Sequence, residues 1–113
     1  MIKIYGIPNC DTIKKATKWL DKNKLAYEFY DYKKWGVPEK ELKLWVKNAG
    51  WEIVLNKRST TWKTLSDKIK KNTNQHSAIR IMLKNSSSIK RPVLIEGKKL
   101  IIGFKEDEYK TLL

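Results

Sequence analysis

Apolar and polar residues alternate at the start of the chain, then change period. Ile-Lys-Ile-Tyr over residues 2 to 5 alternates and is partly β-branched, which predicts a strand. Gly6, Pro8 and Asn9 break it. From about residue 11 to 22 the spacing becomes helical, with Ile13, Ala16 and Leu20 on one face and Lys14, Lys15, Lys18 and Lys22 elsewhere. Asn23 supplies a stop. Residues 26 to 32, AYEFYDY, alternate again and predict a second strand. Strand, helix and strand in this order predict a parallel, right-handed βαβ unit.

Pro38 opens a second helix, in which Leu42, Trp45, Val46 and Ala49 share a face before Gly50 ends it. The stretch from Gly50 to Leu65 has no clear period. Ser59, Thr60 and Thr61 predict a loop leading to a short helix capped near Thr60. Ala78, Ile79, Met82 and Leu83 support a helix around 75 to 84, ended by the serines at 86 to 88. RPVLIEGKKLIIG predicts an antiparallel hairpin turning at Gly97, and a closing helix from about 105 turns Tyr109 and Leu112 inward. There is no internal repeat, low-complexity tract or linker, so residues 1–113 read as one domain. The order is that of an α/β, thioredoxin-like fold. A mixed four-stranded sheet is flanked by helices, with a helical insertion between the βαβ unit and the C-terminal ββα unit.

Composition narrows the function classes. A hydrophobic fraction of 41% with five tryptophans is enough for a core, which excludes wholesale disorder. The longest aliphatic runs, Val93 to Ile95 and Leu100 to Ile102, are too short to cross a bilayer. Met1 to Tyr5 leads straight into the first apolar element, without the layout of a secretory signal. A lone cysteine forms no internal disulfide, so a cytoplasmic protein is expected; a monomer is the expected state. The net charge of +13 raises nucleic-acid binding. However, 22 of the 25 basic residues are lysines spread over every segment, so no specific nucleic-acid partner is expected. Against that background Arg58, Arg80 and Arg91 stand out, because a guanidinium holds an oxyanion through two parallel hydrogen bonds and an ammonium does not.

The candidate chemistry centres on Cys10, which falls between the first strand and the first helix. Unpaired N–H groups and a partial positive charge at a helix start stabilise a thiolate. Asp11 opposes that effect, and Lys14 and Lys15 offset Asp11 in part. The alternative is a buried, inert thiol. A Cys-x-x-Cys pair would need cysteine where Ile13 stands, so disulfide chemistry here must be monothiol and finish through an external thiol such as glutathione. His76, in a polar stretch, reads as solvent-facing, and one cysteine with one histidine makes no metal site. Arg80 reads as a surface residue on its helix. Trp62, four residues after Arg58, would wall a site there if the segment between them were helical. Arg91 precedes Pro92 at the start of the hairpin, and a cis Pro92 in the thioredoxin-like manner would hold Arg91 near Cys10.

YGIPNCDTIKKA, LNKRSTTWKTL, KRPVLI and GFKEDEY together resemble the ArsC/Spx/YffB-like family, the arsenate-reductase-related branch of thioredoxin-fold proteins. The single-cysteine loop and RSTTW look most like the YffB-like subgroup. The resemblance implies a thiol oxidoreductase using glutathione as co-substrate, with a glutaredoxin as a further partner and no tightly bound cofactor. It implies Cys10 as nucleophile, with Arg58 and Arg91 holding an oxyanion or the glutathione carboxylates. Pro92, Asn9, Asp11 and Thr12 complete the substrate-binding set. Arsenate reductases of this type carry a third arginine near where this chain has Gly103 and Phe104, so arsenate itself is not the expected substrate. Spx-like members regulate by binding RNA polymerase, which is the alternative role. Those usually pair two cysteines in the loop.

Overall fold

The computed structural model describes all 113 residues, in two compact units: Met1–Trp35 with Arg91–Leu113, and Gly36–Lys90. The first unit holds the whole sheet. Strand β1 (Ile2–Gly6) leads to helix α1 (Asp11–Lys22), strand β2 (Tyr27–Asp31) and a single-turn helix α2 (Tyr32–Trp35). The hairpin strands β3 (Val93–Glu96) and β4 (Lys99–Ile102) complete the sheet. Strand order is β2-β1-β3-β4, with β1 parallel to β2 and antiparallel to β3. Ile4 lies opposite Phe29 on one side and Leu94 on the other, and Leu94 pairs with Ile101. Gly97 turns the hairpin at φ 59°, a left-handed conformation that glycine adopts without cost from a Cβ.

One face of this sheet carries the core. Ile2, Ile4, Leu94 and Ile101 pack with Ala16 and Leu20 of α1 and with Tyr109 and Leu112 near the C-terminus. Residues i, i+3 and i+7 of α1 (Ile13, Ala16 and Leu20) are its buried positions, while its lysines remain outside. Asp11 in the first turn and Lys22 in the last complement the helix dipole. Asn23 ends the helix by donating both its backbone N–H and its Nδ2 to the Trp19 carbonyl, at 3.1 and 2.8 Å. Gly6 makes the close packing of α1 on β1 possible, since a Cβ there would run into Ile13 Cδ1.

The helical unit contains five of the eight α-helices. They are α3 (Glu39–Ala49), α4 (Trp51–Val54), α5 (Thr60–Lys63), α6 (Asp67–Lys71) and α7 (Gln75–Lys84). Helix α3 packs on α4 and α7 through buried Leu42, Trp45 and Val46. Helix α7 matches its sequence pattern in extent, and it opens with a reciprocal Asn74–Ser77 capping box. An antiparallel bridge between Leu55 and Ile89, with Lys90 N–H donating to the Val54 carbonyl at 2.9 Å, ties the end of the unit to its middle. The closing helix α8 (Glu106–Tyr109), back in the first unit, continues as a 3₁₀ turn to Leu112.

Local details refine or correct the expected elements. The second strand ends at Asp31, and Tyr32 belongs to α2, because the buried Asp31 carboxylate accepts the Lys33 N–H at 2.8 Å and turns the backbone. Helix α5 is capped at Ser59, next to Thr60, with the Ser59 hydroxyl accepting the Trp62 N–H at 3.2 Å. The segment from Arg58 to Trp62 starts as a turn, not a helix, and Trp62 is buried. Helices α4 and α6 had no counterpart in the sequence pattern, being too short to display a period.

The Tyr109 ring meets Phe104 edge-on at 4.7 Å and Trp19 at 5.6 Å, yet its buried hydroxyl has no hydrogen-bond partner. Tyr109→Phe keeps both ring contacts and removes an unsatisfied polar atom. Thermal or denaturant unfolding should therefore find it unchanged or stabilised by about 1 kcal/mol. Tyr109→Ala should cost about 3–5 kcal/mol through the cavity it leaves.

Candidate functional site

Strand β1 delivers the chain to a short loop, Ile7 to Cys10, that reverses direction into α1. Asn9 makes the reversal at φ 64°, a region that asparagine tolerates better than most residues. Cys10 then takes the N-cap position of α1. Serine, threonine or aspartate commonly stands there, with a side-chain oxygen accepting the second or third N–H of the helix. Here the sulfur takes the oxygen's place, no side-chain cap bond is formed, and the thiol is free and partly exposed.

Several effects act on that thiol. Burial raises its pKa, but the Ile13 and Thr12 N–H groups lower it, as do the charge and hydrogen-bonding of the Arg91 guanidinium. The lowering effects win, and Cys10 is held below the ordinary thiol range. The expected contribution of the helix start is thus present in two named amides. Arg91 stands two residues before β3, and its peptide bond to Pro92 is cis. Pro92 is fully buried, and its carbonyl accepts the Gly103 N–H at 2.8 Å.

A cavity of about 540 Å³ opens beside the sulfur, walled by the loop from Ile7 to Thr12, by Lys33 and by Arg91. Asn9, Cys10, Asp11, Thr12 and Arg91 therefore come together as the sequence suggested, whereas Pro92 is not on the wall. Arg58 belongs to the helical unit, in the exposed turn before α5, where its N–H donates to Asn56 Oδ1 at 3.0 Å. His76 and Arg80 are exposed on α7. Lys33 escaped the sequence reading. The available signal was topological, since a β2 parallel to β1 must end beside the end of β1. Tyr32, next to Lys33, is buried with an unpartnered hydroxyl, and burial with Tyr5 and Tyr30 pushes its phenol far up, against Arg91, so it stays neutral. No group of three or more His, Cys, Asp or Glu could hold a metal ion, and no helix is long and apolar enough to cross a membrane.

The ArsC family model matches residues 5–112, which is nearly the whole chain. The chain belongs to the ArsC family. An uncharacterized protein from Haemophilus influenzae is 39% identical, over 98% of this chain and 97% of its own. The global transcriptional regulator Spx of Streptococcus agalactiae is 28% identical, over 100% of this chain and 83% of its own. Among solved structures, the YFFB (PA3664) protein is 43% identical with a TM-score of 0.93, over 98% of this chain and 97% of that one. An arsenate reductase (ArsC) related protein from Brucella melitensis is 42% identical with a TM-score of 0.81, over 97% and 92%. The thioredoxin-like architecture is thus that of this ArsC protein, and so is its general relation to arsenate reductases.

The depressed pKa has a sign that can be tested. A thiol titrating below the free value of about 8.5 carries more thiolate at neutral pH, so alkylation by iodoacetamide should reach half-maximal rate below that value. Arg91→Ala should raise the midpoint and slow alkylation at pH 7. Arg91→Lys should keep much of the effect, because the charge survives.

Proposed function

We propose that this protein is a monothiol, glutathione-dependent thiol oxidoreductase with Cys10 as its nucleophile. The observation that carries the reading is a lone, partly exposed cysteine at a helix N-cap, beside Arg91, on the wall of an open cavity. The Cys10 thiolate attacks one sulfur of a disulfide such as glutathione disulfide. A new S–S bond forms to Cys10, the old one breaks, and one glutathione thiolate leaves. With no second cysteine in the chain, the mixed disulfide is resolved by an external thiolate, glutathione or a glutaredoxin, which takes the bound half and restores Cys10. Arg91 supports the thiolate first and then a carboxylate or oxyanion of the partner, for which its fork is suited. Arg58 is the second guanidinium that the family resemblance calls for. A cytoplasmic setting would provide the reducing thiol pool this cycle needs.

Arsenate is a poor fit. The place of the third arginine is taken by Gly103, at φ 81°, and by Phe104, whose ring packs on Tyr109. A second reading, a regulator that binds RNA polymerase, is supported by the full-length similarity to Spx, which is named as a transcriptional regulator. The lone cysteine weighs against it as a two-cysteine redox sensor.

Incubation with glutathione disulfide at neutral pH should give a single glutathione adduct by intact mass, absent in Cys10→Ser and released by excess glutathione. Arg58→Ala and Arg91→Ala should slow its formation. Arsenate turnover with glutathione and glutaredoxin should be weak or absent. Failure to form the adduct would remove the oxidoreductase reading, and stoichiometric capture of RNA polymerase subunits would favour the regulator. Brisk arsenate turnover would show that a third arginine is dispensable.

A further inference from the structure

We propose that Lys33 is a seat for a carboxylate, or another small anionic group, on the molecule that reacts at Cys10. The inference rests on the reading of Cys10 as a nucleophile and adds a charge preference to its substrate. Lys33 follows directly after β2 and lies on the wall of the Cys10 cavity. Its backbone is fixed there, because its N–H is held by Asp31 Oδ1 at 2.8 Å and the Asp31 carboxylate is itself buried. The side chain, by contrast, is exposed. Fixed at its root and free at its tip, it can follow an anion into the cavity.

The charges on the wall give the lysine something to do. Lys33 and Arg91 are its cations, and Asp11 and the Cys10 thiolate are its anions. Arg91 is engaged with the sulfur. Asp11 sits in the first turn of α1, where the helix dipole favours a negative charge. Lys33 pairs with neither, since the only ion pairs in the protein are Lys43–Glu39 and Lys57–Glu52. When the thiolate attacks and its sulfur enters a neutral disulfide, one negative charge leaves the wall and the cations are in excess. An adduct carrying its own carboxylate restores the balance, and an uncharged adduct does not. An ammonium is a point charge without a fixed fork, so Lys33 should select by charge more than by shape.

Two alkylating agents of similar size separate this role from a merely solvated lysine. Iodoacetate brings a carboxylate to the sulfur, iodoacetamide a neutral amide, and each forms an S–C bond with loss of iodide. Rates for both are measured at fixed pH on wild type, Lys33→Gln, Lys33→Arg and Lys22→Gln, the last changing net charge equally at the far end of α1. In Lys33→Gln the ratio of iodoacetate to iodoacetamide rates should fall by about twofold to fivefold, the range for one partly screened charge. Lys33→Arg should restore it, and the pH midpoint with iodoacetamide should not move. A ratio equal to that of wild type or of Lys22→Gln would overturn the proposal. So would a parallel fall in both rates with a raised midpoint, which would place the lysine on the thiol rather than on the incoming anion. None of these readouts uses glutathione, so the anion seat and the glutathione reading fail separately.

Discussion

The two-sided pairing of β1 is the constraint on which the rest depends. β1 runs parallel to β2 and antiparallel to β3, so three chain positions meet at one end of the sheet: the end of β1, the end of β2 and the start of β3. Those positions lead to Cys10, follow into Lys33 and carry Arg91. No local motif could gather them, because they lie in separate parts of the sequence. The pairing is fixed in turn by the core, where Ile2, Ile4, Leu94 and Ile101 all face α1. A one-residue slip of β3 would turn Leu94 away from that face and carry Arg91 along the strand, away from the sulfur. Packing on one face of the sheet thus sets the electrostatics at one end of its strands.

At that end of the sheet, opposing effects leave the thiol below the ordinary thiol range. Deeper burial would raise the pKa further, and full exposure would weaken both the amides and the guanidinium through solvent screening. An N-cap position satisfies both demands, because the residue has left the strand but has not entered the helix. A serine there would satisfy the helix amides outright. A cysteine leaves them to act on the thiolate. The use of arginine at 91 follows the same logic in a chain that otherwise takes its positive charge from lysine, since the group beside the sulfur must donate hydrogen bonds as well as carry charge.

Much of this was legible in the sequence where period and capping agreed. The strand–helix–strand start, helix α7 and the hairpin at Gly97 all announce themselves, and Cys10 at the first helix start follows from them. The misses have separate causes. AYEFYDY keeps alternating through Tyr32, but aromatic side chains suit a strand and a buried helical turn equally. The boundary was set by Asp31 accepting the Lys33 N–H, an interaction that alternation does not encode. Helices α4 and α6 span four and five residues, barely one turn each, too little for a 3.6-residue pattern to repeat. Lys33 was hidden for a different reason: among 22 lysines, only the direction of β2 distinguishes it.

The family resemblance puts a third arginine of arsenate reductases near Gly103 and Phe104, whereas here the Phe104 ring turns onto Tyr109, at the margin of the core. In this chain that position fills space. A tetrahedral dianion needs donors on several sides, and the cavity in the sheet unit offers a fork from Arg91 and a point charge from Lys33. A single carboxylate asks for less. On the proposed reading it needs one cation near the sulfur and no enclosure, and the open wall beside Cys10, with Arg91 and Lys33, offers both.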